Sequence, residues 1–354
     1  MIDKSIFNEP IYGWDFKKKN IFFTKEIKNL TLHHTKTCKK YKKIIYGFNN
    51  QKLDAKNIEN LPFIPVKLFK YLELMSIKKN NIFKTMRSSG TTNNQPSVIF
   101  LDKFNASNQT KALSKIVASF LGSKRLPMLV IDSKNTLSSR KNFSARGAAI
   151  LGFSLFGTNI TYALNDDLSI NHEAMSVFYE KYSDTKVLIF GFTYILYNNF
   201  IKELSLKYKY FFHKDSVVIH GGGWKKMYES SITNLKFKDL INKTIGINKI
   251  HNYYGLIEQT GSIFFECEYN YLHCSIYSDI LVRSNTIDKP KNIGKGIIQL
   301  LSPLATSYPG HNILTEDIGT IIGIDDCKCG RKGKYFTIEG RLQNAEVRGC
   351  SDTR

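Results

Sequence analysis

Three short apolar runs, Met128-Leu-Val-Ile131, Lys186-Val-Leu-Ile-Phe190 and Ser216-Val-Val-Ile219, recur through the middle of the chain, and each leads into a polar or glycine-bearing turn. Apolar runs of this length, without polar alternation, suit strands buried on both faces. Ahead of them, Leu113, Ile116, Val117, Phe120 and Leu121 fall at helical spacing. That spacing predicts an amphipathic helix over 107–121, with Ser107 as its cap. Strands alternating with helices imply an α/β architecture whose ligands sit at the carboxyl ends of the strands.

At 354 residues, with 42% hydrophobic and 13% aromatic content, the chain can bury a large core, which excludes a disordered chain. Its formal charge of +21 would suit a polyanion, and a basic, non-catalytic nucleic-acid-binding protein is one reading. The basic residues are dispersed, however, and lysine, asparagine and isoleucine are abundant together, the bias an AT-rich genome produces. This argues against nucleic acid; a nucleotide, an acidic carrier protein or an anionic membrane surface would use the same charge. No segment approaches the roughly 20 apolar residues that span a bilayer. The start, with an early acid and no apolar core, is unlike a secretory signal, so the expected location is cytoplasmic. Six cysteines in so long a chain point to thiols or metal ligands in a reducing compartment.

Residues 1–85 read as a mostly helical N-terminal lead-in, interrupted at Leu61-Pro-Phe-Ile-Pro65, where two prolines enforce extended backbone. An α/β domain is expected over 86–340, its last part, from Gly294 to Arg341, as short strands joined by tight turns. Residues 341–354 form a tail that carries Cys350.

Four segments have the residue types of a nucleotide site. In Arg87-Ser-Ser-Gly-Thr-Thr92, Gly90 lets the backbone curl while hydroxyls and N–H groups offer donors to phosphate oxygens; the spacing and lysine of a Walker loop are missing. Alone, such a Ser/Gly/Thr run is more often an ordinary solvated turn. Val218-Ile-His-Gly-Gly-Gly-Trp224 runs a strand into three glycines, which permits close approach of a flat ligand, and His220 reads as a hydrogen-bonded core histidine. In Asn252-Tyr-Tyr-Gly-Leu-Ile-Glu-Gln-Thr260, Tyr254 has a face to stack a purine and Glu258 a carboxylate for Mg²⁺; the bland alternative is a core tyrosine and a surface acid. Thr315-Glu-Asp-Ile-Gly319 reads as a turn presenting Asp317 to ribose hydroxyls.

Taken in order, SSGTT, GGG, YYGLIEQT, TEDIG and the Gly340-Arg341 pair resemble the adenylate-forming superfamily of acyl-CoA synthetases and luciferase-type enzymes. The Cys327-Lys-Cys-Gly-Arg331 run is similar to the phenylacetate–CoA ligase branch. Leu61-Pro-Phe-Ile-Pro-Val-Lys-Leu-Phe-Lys70 ahead of SSGTT, with the terminal Arg-Gly-Cys-Ser, resembles the LuxE acyl-protein synthetases. The resemblance implies the large α/β domain of an adenylate-forming enzyme, without the usual small C-terminal domain. It implies ATP and Mg²⁺, with Ser88, Ser89, Gly90, Thr91 and Thr92 at the phosphates, Gly221 and Gly222 beside the adenine and Tyr254 stacked on it. Glu258 would hold Mg²⁺, Asp317 the ribose, and Arg341 the ribose or a phosphate. A fatty or other carboxylic acid would be adenylated and passed to Cys350 as a thioester, for delivery to a LuxC-like acyl reductase. Arg348 and Arg354 would favour the thiolate of Cys350. Coenzyme A as acceptor, making the protein a ligase of acyl-CoA type, is the alternative. Asn93-Asn-Gln-Pro-Ser97 departs from the glycine and lysine that usually continue the family's loop.

Cys327 and Cys329 stand apart from this set. Their spacing is short for zinc, which wants four ligands; Cys267, His273 and Cys274 complete a site if the two strand regions meet, and otherwise the run is a buried hairpin turn.

Overall fold

The computed structural model describes residues 3–47, 55–88, 95–137, 145–207, 210–223, 232–285 and 288–342. In chain order its strands are β1 (Ile64–Pro65), β2 (Lys84–Arg87), β3 (Val98–Leu101), β4 (Leu126–Ser133), β5 (Gly157–Leu164), β6 (Leu188–Phe192), β7 (Val217–Gly221), β8 (Lys249–Tyr254), β9 (Phe264–Glu266), β10 (Leu272–His273), β11 (Asp279–Arg283), β12 (Gly294–Leu301), β13 (Asn312–Ile324) and β14 (Lys334–Arg341). Two compact units share them. One holds the described residues of Met1–Phe120 and Gly255–Glu346, the other those of Leu121–Tyr254.

The three apolar runs become β4, β6 and β7, neighbours in a parallel sheet of order β5-β4-β6-β7-β8 within the second unit. Their apolar side chains, from Met128 to Ile131, Leu188 to Phe190 and Val217 to Ile219, are fully buried, as strands covered on both faces require. Parallel neighbours need crossovers, and the helices Ala145–Ser154, His172–Tyr182 and Asn234–Ile245 lie between these strands in the chain. Asn171 caps the second of them, accepting the N–H of Ala174 at 3.0 Å. The third stops where Gly246 turns left-handed, at φ +75°. Phe153, Phe190 and Tyr253 pack together, with ring centroids 4.4 Å apart for the first pair and 5.1 Å between Phe153 and Tyr253. His220 is buried; its Nδ1 lies 2.9 Å from Thr193 Oγ1, and burial drives its pKa down to about 3, so it is the hydrogen-bonded core histidine expected.

In the first unit, antiparallel strands run in the order β11-β12-β13-β14-β10-β9, and β1 lies parallel to β13. The two-proline run is thus extended, as its sequence demands, and pairs at Ile64↔Ile313 and Pro65↔Leu314. β13 has thirteen residues, not the short strands and tight turns expected after Gly294. Gly319 and Gly323 sit where the β13–β14 register shifts, so glycines that suggest turns are bulge positions inside one long strand.

The helix Lys103–Leu121 starts ahead of the predicted 107, because Asp102 accepts the N–H of Asn105 at 2.7 Å and takes the capping role expected of Ser107. The long helix Phe16–Thr37 begins under Asp15, whose carboxylate accepts the N–H of Lys18. It buries Lys19, Phe23, Ile27, Leu30, Thr31, His34 and Thr35, one helical face. Phe23 and Ile27 join Leu281 of β11 and Leu301 of β12 in a common core. Lys19 donates to the carbonyls of Cys274 and Ser278 at 3.2 and 2.9 Å and lies 3.9 Å from Asp279, which Lys334 approaches at 3.3 Å. Lower on the same helix, His34 bonds Ser76 Oγ (2.7 Å) and the Ala305 carbonyl (2.9 Å) and stacks on His311.

Burial holds His34, His220 and His311 below their ordinary pKa, to about 3 for the last two. Below the ordinary histidine value near 6.5 the unfolded chain binds protons that the folded chain refuses, so stability falls as pH falls, down to about 3 for His220 and His311. Urea unfolding at pH 7.5 and 5.5 is expected to show lower stability at the acid value. Each of these histidines contributes up to about 1.4 kcal/mol per pH unit in that window.

Candidate active site

β2 and β3 form an antiparallel hairpin from Lys84↔Leu101 to Arg87↔Val98. At its base the N–H of Ser88 donates to the Ser97 carbonyl at 2.9 Å, and Ser88 Oγ accepts the N–H of Ser97 at 2.8 Å. The Ser/Gly/Thr run therefore departs from a hairpin end. Ser89, Gly90, Thr91 and Thr92 lie outside the described residues. A hydroxyl that accepts from the backbone keeps its own O–H to donate, so Ser88 retains a donor for an anion.

β7 ends at Gly221 and β8 at Tyr254, the carboxyl ends of neighbouring parallel strands. Gly221 pairs with Tyr253, and a Cβ on this glycine would stand 2.5 Å from the Tyr253 ring. Gly222 follows at φ +84°, where a Cβ would meet the Phe192 ring at 2.7 Å. Only glycine fits either position. The ring that covers Gly221 belongs to Tyr253; Tyr254, one residue on, points to the opposite face of the strand and is half-buried. The glycine run alone does not reveal Tyr253, because its contact depends on strand register.

In the first unit, the 3₁₀ turn Ile257–Gln259 carries Glu258. Gln259 Nε2 seats this turn, donating to the carbonyls of Leu300 at 3.1 Å and Gly310 at 2.8 Å. Glu258 is 1% exposed, which corrects the surface-acid alternative. Burial, with the Glu258 charge adding, pushes the Tyr308 phenol up.

Asp317 lies within β13 and not in a turn. Ile297 pairs with Ile318 and Gln299 with Leu314, so Thr315, Glu316 and Asp317 bulge against the single residue Ile298. Thr315 Oγ1 fixes the bulge, donating to the Ile298 carbonyl at 2.8 Å and accepting the Asp317 N–H at 3.1 Å. Asp317 is the register partner of Arg341, with Oδ1 3.2 Å from Nε, and Glu316 Oε2 accepts from Arg341 Nη2 at 2.7 Å. The acid and the Gly-Arg pair, far apart in sequence, thus meet at one end of the β13–β14 hairpin. Glu316 is a partner that the motif did not single out, since its role needs Arg341 beside it.

Cys327 and Cys329, in the turn between β13 and β14, gather with Cys267 and His273, all four ligand atoms lying within 4.8 Å of one another. Burial pushes the Cys327 thiol up to about 12 and His273 down to about 4. Cys274 is not in the group. It follows β10 directly, and burial, with Asp279 adding and Lys19 opposing, pushes its thiol up to about 12. Cys350 lies outside the described residues.

The fold is that of adenylate-forming enzymes. An open conformation of 2-hydroxyisobutyryl-CoA ligase, crystallised with 2-HIB-AMP and CoA, matches with a TM-score of 0.68 at 12% identity, over 96% of this chain and 78% of the ligase. The same ligase in its postadenylation state with 2-HIB-AMP matches at 0.66 and 12% identity, over 93% and 69%. At the level of sequence, the chain is 26% identical over 364 residues to a long-chain-fatty-acid--luciferin-component ligase of Aliivibrio fischeri, across 99% of this chain and 92% of that protein. Residues 1–354 match the family described as Acyl-protein synthetase, LuxE, and the chain belongs to that family of ligases.

Gly221→Ala is expected to lower stability by about 1–3 kcal/mol, because its methyl group collides with the Tyr253 ring. Thermal unfolding of the double variant with Tyr253→Ala is expected to recover part of the collision term; equal loss in both backgrounds would reject the contact as its cause.

Proposed function

We propose that the chain uses ATP to activate a long-chain fatty acid and passes the acyl group to its own Cys350, as a thioester for a partner reductase. The family match along the whole chain carries this reading. The name of the relative, a long-chain-fatty-acid--luciferin-component ligase, supports the acid.

In the first step a carboxylate oxygen attacks the α-phosphorus of ATP, and the bond to pyrophosphate breaks. The thiolate of Cys350 then attacks the acyl carbon, and AMP leaves with the bonding electron pair. Gly221 and Gly222, at the carboxyl end of β7, are assigned to border the adenine. Tyr254 is assigned to stacking on it. Ser88, with the neighbouring Ser89, Gly90, Thr91 and Thr92, is assigned to the phosphates. Asp317 would accept the ribose hydroxyls while Arg341, braced by Glu316, steers that carboxylate and adds a positive charge for a phosphate. A single carboxylate is a hard oxygen donor of the kind Mg²⁺ shares with phosphate oxygens, and Glu258 is the residue assigned to hold it. Magnesium bound there would offset charge on the phosphates. Arg348 and Arg354 flank the thiol in sequence and favour its thiolate.

Incubation with ATP, Mg²⁺ and a panel of fatty acids, read by intact mass, is expected to give a hydroxylamine-labile adduct at Cys350. Cys350→Ser is expected to keep ATP–pyrophosphate exchange and lose the adduct; persistent labelling would reject this acceptor, and acyl-CoA formed by the serine variant would select coenzyme A instead. Asp317→Asn is expected to lower kcat/KM for ATP in the exchange reaction on the order of 10- to 100-fold, the effect of a lost hydrogen bond to a charged group. An unchanged value would remove Asp317 from the ribose.

A further inference from the structure

The Cys267, His273, Cys327 and Cys329 group lies outside the nucleotide and acyl chemistry. Its ligands come from two strand-to-strand turns. Cys267 follows β9 directly and His273 closes the short β10, while Cys327 and Cys329 occupy the turn that joins β13 to β14. The turns are neighbours because β10 pairs with β14, His273 opposite Tyr335. Each turn is built for close approach. The N–H of Asn270 donates to the Cys267 carbonyl at 3.0 Å with Asn270 at φ +65°, and the N–H of Gly330 donates to the Cys327 carbonyl at 2.9 Å with Gly330 at φ +80°. The left-handed residue curls each chain back, so a Cys-x-Cys spacing too short for a common zinc loop still presents both sulfurs to one point.

We infer that Cys267, His273, Cys327 and Cys329 form a closed structural zinc site. Ligands at about 2.3 Å from a tetrahedral zinc have sulfurs roughly 3.8 Å apart. The ligand atoms here all lie within 4.8 Å of one another, and His273 Nε2 is 3.4 Å from Cys329 Sγ. Three of the four residues are buried, and all three cysteines are free of disulfides. Three thiolates and an imidazole are a soft, nitrogen-containing tetrahedral set, which selects zinc over magnesium or calcium. The second shell fits an anionic cluster. The N–H of Tyr269 points at Cys267 Sγ from 3.4 Å, and Arg331, two residues after Cys329, pairs with Glu268 at 3.0 Å. Zinc with three thiolates carries one net negative charge, and Arg331 supplies the opposite one. Four protein ligands leave no open position, so the site fastens two turns and performs no chemistry on substrate.

The test is metal content of the full chain purified without chelator from zinc-supplemented medium. The expected result is about one zinc per chain, the stoichiometry of a closed four-ligand site. Cys327→Ser with Cys329→Ser is expected to drop it to a small fraction, and Cys274→Ser to leave it unchanged. Cobalt loaded in place of zinc is expected to show thiolate-to-metal charge transfer and the intense visible bands of tetrahedral coordination. This reading needs no variant to fold. Metal removal by a strong chelator is expected to lower the melting temperature of the wild type and not of the double variant. Wild-type protein that takes up neither zinc nor cobalt, cobalt spectra of octahedral oxygen ligation, or zinc loss in Cys274→Ser equal to that in the double variant would overturn the site.

Discussion

Asp279 is buried between two lysines, Lys19 from the N-terminal helix and Lys334 from the first position of β14, and all three are at most 3% exposed at the side chain. Two ammonium groups and one carboxylate leave a positive charge in the interior, and the carbonyls of Cys274, Ser278 and Ile280 absorb it. Removing one partner from such a group typically leaves an uncompensated buried charge, on the order of 3–5 kcal/mol. The charges also set position. Lys19 has its helix pinned to the turn before β11, and Lys334 has β14 pinned to β11, a strand three places away in the sheet. Residues far apart in the sequence are thereby locked into one unit.

Anchoring Lys334 matters for the other end of its strand. β14 pairs with β13 from Ile324↔Lys334 to Asp317↔Arg341. A slip of one residue along a strand turns every side chain to the opposite face. The pairing of Arg341 with Asp317 and Glu316 therefore depends on register established at the lysine end. Beside that end lie Cys327 and Cys329, so the closed end of the hairpin is held by buried charge and by the cysteine–histidine group together. The bulge at Thr315 to Asp317 then aims the acid without disturbing the ladder beyond it.

Much of this was legible before any coordinates. Apolar runs and helical spacing expose buried strands and the Lys103–Leu121 helix because burial and periodicity are local properties of sequence. The limits of that helix were less visible, since Asp102 outcompetes Ser107 only once the first turn forms. The Thr315–Gly319 run reads as a turn because the sequence does not show that a partner strand continues past it; in β13 Gly319 sits at a bulge. Cys267 and His273 were legible as candidate ligands, but choosing them over Cys274 required knowing which side chains meet the β13–β14 turn. Tyr253 and Glu316 were invisible for the same reason: each acquires its role from a residue across the sheet, Gly221 or Arg341.

The reciprocal bonds between Ser88 and Ser97 close the β2–β3 hairpin independently of what lies between them. Once the strands have met the cost of closure, doubling a loop's length adds only about 0.6 kcal/mol. The pairing of β2 with β3 and the two bonds that close it therefore rest on Ser88, Ser97 and the strands themselves.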